Sequence, residues 1–590
     1  MIALLKHCID LPKSAMRLIA SWFFCASLFE ILRPETLLSN GVFLLILLGA
    51  FVLLTVAQWL LPWPRFTAAS LAVCTLAYAF TLVRTHLTAR NYPLFLFLMV
   101  AVALVLFPLL RKEKGKLLPF TVSKRVSITV CITVGVVCAG MIAAITCLRY
   151  ITFSAPNYDF GIFCNMFHNM SETGLPLVSC ERDQLLSHFA VHISPIYYLI
   201  LPFYLLFPSP LTLQIAQAVI LASGIIPLYR LARHFKLSPA ITAVLCTVYA
   251  AYPPLATGCF YDIHENCFLT PLLLWMFALY EEKRYGWMIL PAALILATKE
   301  DAAVYLAFFA LYLLFSRRDW KRGLPLGAVA AVYFAVAILL LESFGDGAMF
   351  GRYTALLTPE KETGGLLSTL LRDPAFFLEQ IADGGTVAQK LRWLFELLLP
   401  LGLLMWTPRG QYSRLWLLAP LLLNLLTQYP YQFDIGFQYS FGTIAFLFYL
   451  LVQNAADSPA PFRRDHLIFA AVTAVLMYTM MVVPQLTYFA KAYEENHETY
   501  ERLEEILDTV PEDASVITST WFLPHMANRT YIFEDEYHPE QDTDFLVIDV
   551  RPGHDRNEYI ATALQKGYTA HFHEENMVLI LKAPDGVSRY

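Results

Sequence analysis

The sequence predicts an all-α polytopic membrane protein of about 15 transmembrane helices, followed by a small extracytoplasmic α/β domain at its C-terminal end. Three observations predict it. Of 590 residues, 57% are hydrophobic and only 15% are charged, whereas soluble globular chains carry about 25% charged residues. Apolar runs recur along most of the length, many near the roughly 20 residues that cross a bilayer. The Lys and Arg clusters between those runs fall on alternate sides. The formal net charge of -5 carries little information, because in a membrane protein the distribution of charge matters more than its sum.

In chain order, the apolar runs read as helices over 17–33, 41–62, 66–84, 93–110 and 126–149. The first is an anchor rather than a cleaved leader: Lys6, Lys13 and Arg17 precede it and no small-residue cleavage site follows. A polar stretch, 151–192, comes next. Further runs lie at 210–230, 239–256, 268–281, 287–298, 302–316, 323–341, 393–407, 415–428, 441–454 and 467–487. The segment SPIYYLILPFYLLF at 194–207 is short and interrupted by Pro202, and reads as interfacial or re-entrant.

Alternating these spans puts RKEKGK at 111–116, Arg230/Arg233/Lys236, Lys283/Arg284, RRDWKR at 317–322, Arg409/Arg414 and Arg463/Arg464 on one side, the cytoplasm by the positive-inside rule. Arg84 and Arg90 run against that rule. The other side receives 151–192, 257–267, Lys299–Asp301, 342–392, 429–440 and the C-terminal tail. Beyond 487 the composition turns polar. Strand-like SVITS (515–519), DFLVIDV (544–550) and MVLILK (577–582) alternate with helix-like YERLEEILDTV (500–510) and EYIATALQKG (558–567), the pattern of an α/β unit. The chain therefore divides into N-terminal helices (1–125), a transmembrane core with its outer loop (126–487) and an extracytoplasmic domain (488–590). Of the 11 cysteines, Cys164, Cys180, Cys259 and Cys267 lie in polar loops, where an oxidising compartment admits a bridge.

Four polar patches fall on the outer side. In NYDFGIFCNMFHNMSETGLPLVSCERDQLLSHFAVHISP (157–195), Asp159 sits in an aromatic setting just past a span, where an unpaired carboxylate pays a desolvation cost. His168 stands in the same stretch, Glu172, Glu181 and Asp183 read equally as a solvated loop, and His188 and His192 are spaced to share a helical face. In GCFYDIHENC (258–267), Asp262, His264 and Glu265 offer oxygen and nitrogen ligands for a divalent metal ion, or a His–carboxylate pair for proton transfer; the plainer reading is a polar cap on a turn. Lys299, Glu300 and Asp301 are three ionisable residues inside an apolar run. Lys299 suits a phosphate as a point charge, and Glu300 or Asp301 suits orienting a base or metal; the plainer reading is a surface turn in which Lys299 pairs with a neighbour. In YPYQFDIGFQYS (429–440), Gln438 and Tyr439 suit sugar or head-group contacts, although aromatics at membrane interfaces are ordinary. The chain has no P-loop, G-x-S-x-G, H-E-x-x-H or zinc-spaced CxxC pair, and nothing in it points to nucleic acid.

At these residues the chain resembles a prokaryotic polytopic membrane family, domain of unknown function two-zero-seven-nine. The likeness is carried by YDFGIFCNMFHNM, HFAVHISPIYYLILPFYLLFPSPLTLQIAQ, FYDIHENCFLTPLLLW, ATKEDAAVY and VPEDASVITSTWFLPHMANRTYIF, and covers roughly 150–550. That family is similar to the GT-C superfamily of glycosyltransferases, which use polyprenyl-phosphate-linked sugars outside the cytoplasm. The resemblance implies a GT-C-like core over 126–487, a lipid-linked sugar donor, an extracytoplasmic acceptor and membrane lipids as partners. In GT-C enzymes an acidic residue in the first long outer loop acts as catalytic base or binds metal, and Asp159 matches that position. Here additional N-terminal spans displace the loop to a later outer position. On this reading Asp159, Glu300 and Asp301 are catalytic candidates. Lys299, His188, His192, Gln438 and Tyr439 are substrate contacts, and Asp262, His264 and Glu265 are metal ligands.

Two other classes compete. A transporter or flippase predicts ionisable residues deep within broken spans, whereas here the charges gather at the outer boundary. A non-enzymatic sensor or scaffold predicts that Asp159 and Asp262 are freely replaceable.

Overall fold

The computed structural model describes residues 40–60, 121–345 and 385–586, together with four positions between 375 and 382; Asp183, 406–407, Arg409, 538, 540–541 and 555 are excepted. The spans expected at 17–33, 66–84 and 93–110, and most of the outer segment 342–392, lie outside the described residues.

Among the described residues, five helices are long and apolar enough to cross a membrane: Lys124–Ile151, Pro210–His234, Trp320–Phe344, Gln438–Asp457 and His466–Leu507. At 1.5 Å per residue, the 28 residues of Lys124–Ile151 exceed the roughly 30 Å of a hydrocarbon core. Shorter apolar helices, including Pro239–Ala250, Leu269–Glu281, Tyr285–Leu296 and Ala303–Phe315, complete the bundle. Each helix starts where a local signal permits it. Ser123, Ser209 and Ser238 accept hydrogen bonds from the first turns they precede, and Pro210 and Pro239 occupy first-turn positions that have no N–H to satisfy.

Phe441–Asp457 is the centre of the bundle, with every residue from Phe441 to Ala455 buried. A helix apolar on all sides has no wet face and belongs inside. Lys124–Ile151 and Trp320–Phe344 instead turn Ile132, Val136, Val332 and Val336 outward, as a lipid-facing surface requires. Several expected helices are broken. The run at 239–256 is helical over Pro239–Ala250 and, past Ala251 and Tyr252, again over Pro253–Thr257. The run at 393–407 is helical over Val387–Leu398 and then tightens through Leu399–Met405, where Gly402 takes a left-handed φ of 63°. The run at 415–428 is a tight turn, Tyr412–Leu418, followed by the five-residue helix Leu421–Leu425; the ring of Pro420 removes a donor at the junction. The segment 194–207 forms a turn, Pro195–Leu199, and a six-residue helix, Leu201–Leu206. Cys164, Cys180, Cys259 and Cys267 are all free thiols.

The chain leaves the bundle along helix Val483–Leu507, bent from its predecessor at Val482–Pro484. It then forms a five-stranded sheet in the order β4-β3-β5-β7-β6. The strands are β3 (Val516–Thr518), β4 (Ile532–Glu534), β5 (Phe545–Asp549), β6 (Thr569–Glu574) and β7 (Val578–Lys582). β3 pairs in parallel with β4 and β5, and β7 pairs antiparallel with β5 and β6. The period-two alternation of strands divides their apolar residues. Val516, Ile532, Phe545, Val547 and Ile580 pack with Leu503, Ile506 and Leu507 of the incoming helix. Ile517, Phe533, Leu546 and Ile548 pack on the other face with Ala563 of helix Asn557–Gln565.

Buried hydrogen bonds fasten this sheet to the loop region 157–179. Asn157 donates through Nδ2 to Glu534 Oε2 at 2.7 Å and through its backbone N–H to Thr520 Oγ1 at 3.0 Å. Asn165 donates to the carbonyl of Arg529 at 2.7 Å. Ser179 Oγ donates to the Ile532 carbonyl at 3.0 Å and accepts from the Ile532 N–H at 2.9 Å. Ser179 borders a small hairpin, β1 (Leu177–Val178) against β2 (Leu186–Ser187).

Candidate active site

Acidic residues at helix N-termini are favoured by the partial positive charge there, and three such ends meet at one end of the bundle. Asp159 lies in a single wide turn, Asn157–Gly161, that runs into helix Ile162–Thr173. Glu265 opens the turn Glu265–Phe268 ahead of Leu269–Glu281. Glu300 opens the turn Glu300–Ala302 ahead of Ala303–Phe315. Wide turns of this kind concentrate at functional positions. This one needs a glycine at 161, because a Cβ there would stand 2.5 Å from Asn157 Oδ1 and 2.6 Å from Leu523.

The charged side chains pair across these loops rather than within them. Asp159 Oδ2 lies 3.1 Å from His264 Nε2. Glu265 meets Lys299 Nζ at 2.9 Å and accepts from the Tyr197 hydroxyl at 2.8 Å. Glu300 meets His192 Nδ1 at 2.9 Å and accepts from the Ile193 N–H at 3.2 Å. His188 Nδ1 lies 2.9 Å from Glu181. Asp262 pairs with Arg149 and accepts from Gln214 Nε2 at 2.7 Å. Phe163 sits amid the rings, edge-on to both His264 and His188 and 5.3 Å from Tyr197.

Burial differs sharply across the cluster. Glu265, Asp262 and His264 are almost wholly enclosed, whereas the Asp159 side chain keeps 36% of its surface. Burial opposes the charge on His264, but the Asp159 carboxylate outweighs it and raises the ring's affinity for its proton. Burial likewise opposes the charge on Glu265, and Lys299 overrides it, holding that carboxyl well below the usual carboxylate range. Lys299 is shifted upward: burial opposes its charge, and Glu265, Glu300 and Asp301 together outweigh it. For Asp262, burial wins over Arg149 and Gln214 and raises its pKa. Asp262 also holds a left-handed backbone, φ 71°, a conformation that aspartate tolerates better than most residues.

The sequence-derived site residues do not all meet at one point. Asp159, His264, Glu265, Lys299, Glu300 and His192 form linked pairs around one end of the bundle, with Asp262 beside them. His188 and His192 are one turn apart, the His192 N–H donating to the His188 carbonyl at 2.9 Å, but each ring serves a different glutamate. Asp301 is exposed beside Glu300. Gln438 and Tyr439 lie in a turn packed against Glu265–Phe268, and Gln438 is buried. An aromatic rim, Tyr431–Phe437–Tyr261–His264, joins that turn to the cluster.

Two expectations need correction. Lys299 forms its ion pair with Glu265 at 2.9 Å rather than with a sequence neighbour, because the buried Glu265 carboxylate needs a counter-charge. Asp262, His264 and Glu265 do not converge as a metal triad: each is committed to a different partner (Arg149, Asp159 and Lys299). Among the described residues no group of three or more His, Cys, Asp or Glu side chains is arranged to hold a metal ion. Arg149, absent from the sequence-derived set, is a basic residue in the last turn of helix Lys124–Ile151, and a charge at the end of an apolar run could have marked it.

A long-helix bundle carrying an ionic cluster at one end defines a polytopic membrane protein, and a solved structure shares its architecture. The chain is similar to ArnT from Cupriavidus metallidurans bound to undecaprenyl phosphate, with a TM-score of 0.50 and 13% identity over 78% of this chain and 99% of that one. It also aligns with ArnT from Cupriavidus metallidurans in the apo state, with a TM-score of 0.43 and 12% identity over 76% and 98% of the two chains. At such identity the likeness is one of fold. No curated protein matches the chain in sequence. The chain belongs to the DUF2079 family of predicted membrane proteins, whose model matches residues 149–579.

Proposed function

We propose that the protein is a membrane glycosyltransferase of GT-C type that transfers a sugar from a polyprenyl-phosphate donor to an acceptor on the extracytoplasmic side. The observation that carries this reading is the Asp159–His264 pair. A half-exposed carboxylate, steered by a buried imidazole, stands at the mouth of a cluster of paired charges. The fold likeness to a protein whose structure holds undecaprenyl phosphate supports the choice of donor. The helix ends opposite the cluster carry Arg230, Arg233, Lys283, Arg284, Arg317 and Arg322, which supports a cytoplasmic address for that end and an outer address for the cluster and the C-terminal sheet.

In the proposed reaction Asp159 accepts the proton of the acceptor hydroxyl as that oxygen attacks the anomeric carbon. The bond from the anomeric carbon to the phosphate oxygen breaks, and the polyprenyl phosphate departs with the electron pair. His264 donates to Asp159 and fixes its orientation. Arg149, anchored on Asp262 by one terminal nitrogen, has further N–H donors for the leaving phosphate. Lys299 adds to the positive field while compensating Glu265. Glu300 holds His192, Asp301 offers a second exposed carboxylate, and Gln438 and Tyr439 contact the sugar. The C-terminal sheet, docked on the Asp159 loop, borders the acceptor's approach.

The test is reconstitution of purified protein with labelled polyprenyl-phosphate sugars, comparing wild type with Asp159→Asn. Transfer by the wild type that is lost in a normally folded variant supports the reading. Equal transfer by both removes Asp159 from the mechanism, and no release of polyprenyl phosphate from any donor removes the reading itself.

A further inference from the structure

At the end of the bundle opposite Asp159, a cavity of about 330 Å³ opens beside helix Tyr285–Leu296. Arg284 precedes this helix and Lys299 follows it, so its 12 residues separate the two sites by about 18 Å. The cavity combines two kinds of wall. Trp275, Leu279, Trp287 and Leu290 make an apolar side, with Trp287 and Leu290 largely exposed. Arg230 and Arg284 make the other, each guanidinium lying over an indole, at 5.0 Å from the Trp275 centroid and 5.7 Å from that of Trp287.

The two arginines differ in their charge balance. Arg230 is neutralised by Glu282 through two parallel contacts, Nε to Oε1 at 3.0 Å and Nη2 to Oε2 at 2.5 Å. Arg284 is exposed and has no carboxylate partner among the described residues. One uncompensated guanidinium therefore borders an apolar, outward-facing groove where a membrane protein meets the head-group layer. Tryptophan prefers that depth. A guanidinium matches a phosphodiester through two parallel hydrogen bonds, and basic pockets at helix ends are where anionic head groups bind.

We propose that this groove is a binding site for an anionic glycerophospholipid. Arg284 holds the phosphodiester, Arg230 stays locked on Glu282 as the rear wall, and an acyl chain lies along Leu279, Trp287 and Leu290. A lipid with an uncharged head group beyond its phosphate balances Arg284, the one cation lining the groove that has no carboxylate partner among the described residues. A choline head group would bring its own positive charge and cancel the attraction. This site does not depend on the glycosyltransferase reading.

The test uses full-length protein in detergent, read by native mass spectrometry and by thermal unfolding, with phosphatidylglycerol, phosphatidylcholine, glycerol 3-phosphate and a polyprenyl phosphate as probes. Phosphatidylglycerol is expected to be retained and to raise the unfolding temperature of the wild type. Arg284→Ala weakens its binding about tenfold, the loss of one charge-assisted pair. Arg284→Lys, which keeps the charge without the fork, gives a smaller loss, and Arg318→Ala, an exposed basic position elsewhere on the same end, leaves binding unchanged. Equal retention of phosphatidylcholine, indifference to Arg284→Ala, or an equal loss in Arg318→Ala overturns the proposal. A matching effect of glycerol 3-phosphate overturns the lipid as the source of the phosphate. Preference for polyprenyl phosphate at this groove assigns it to the donor instead and overturns the proposal too.

Discussion

Asp159 and His264, 105 residues apart in the chain, share a 3.1 Å hydrogen bond across two loops at one end of the bundle. The imidazole is buried and the carboxylate reaches solvent. The pair therefore has an inner half that fixes geometry and an outer half that can meet a substrate, and its two members should fail differently when altered.

His264→Gln retains a side-chain donor toward Asp159 but removes the titratable ring. Transfer is expected to fall by about 10²-fold, within the range of misplacement effects on a positioned base, with a smaller change in KM for the donor. Single-turnover rates of the variant check this, and a rate like that of the wild type argues against orientation by His264.

The pair also makes stability depend on pH. The folded-state pKa of His264 is raised above its unfolded value of about 6.5. Its contribution is therefore fully present below that unfolded value and is lost as pH rises through the folded one. Thermal unfolding of wild type and Asp159→Asn should differ most below the unfolded value of about 6.5 and converge as pH rises through the raised folded-state value. A gap that grows with pH contradicts this assignment.

Lys299 and Glu265 are both buried and face each other at 2.9 Å. Lys299→Met leaves a carboxylate without its counter-ion and should destabilise the protein by about 3–5 kcal/mol. Adding Glu265→Gln should recover much of that loss, since the pair's desolvation cost disappears with it. Unfolding in mixed micelles measures both, and simple additivity of the two substitutions counts against a coupled pair.

Asp262 combines a left-handed backbone with the anchoring of Arg149. Asp262→Asn keeps the backbone tolerance and loses the charge. Asp262→Val loses both and should be less stable than the asparagine variant by about 1–3 kcal/mol. If Arg149 meets the donor phosphate, both variants also raise KM for the donor. Comparing unfolding midpoints with donor titrations separates the two effects.

The bundle was legible from sequence wherever structure is local. The runs at 126–149, 268–281, 302–316 and 441–454 coincide with helices, because hydropathy and capping residues act over a few positions. Where a proline or a strained glycine interrupts an apolar run, at Pro420 and Gly402, composition alone misleads. SVITS, DFLVIDV and MVLILK contain β3, β5 and β7, but β4 and β6 escaped notice: three residues are too few for a pattern, and TAHFHE is polar and mostly exposed. The same limit governs the site. The patches bearing Asp159, His264, Lys299 and Glu300 were recognisable from their cost in an oily setting. Their pairing was not, since Lys299 passes over its neighbour Glu300 for a carboxylate on another loop.

Asn157, hooked to Glu534 and Thr520 of the C-terminal sheet, stands only two positions before Asp159 in the same turn. Between them there is no slack, because Gly161 closes the turn against Asn157 and Leu523 without room for a methyl group. Through those bonds the position of the sheet fixes the turn that carries the Asp159 carboxylate.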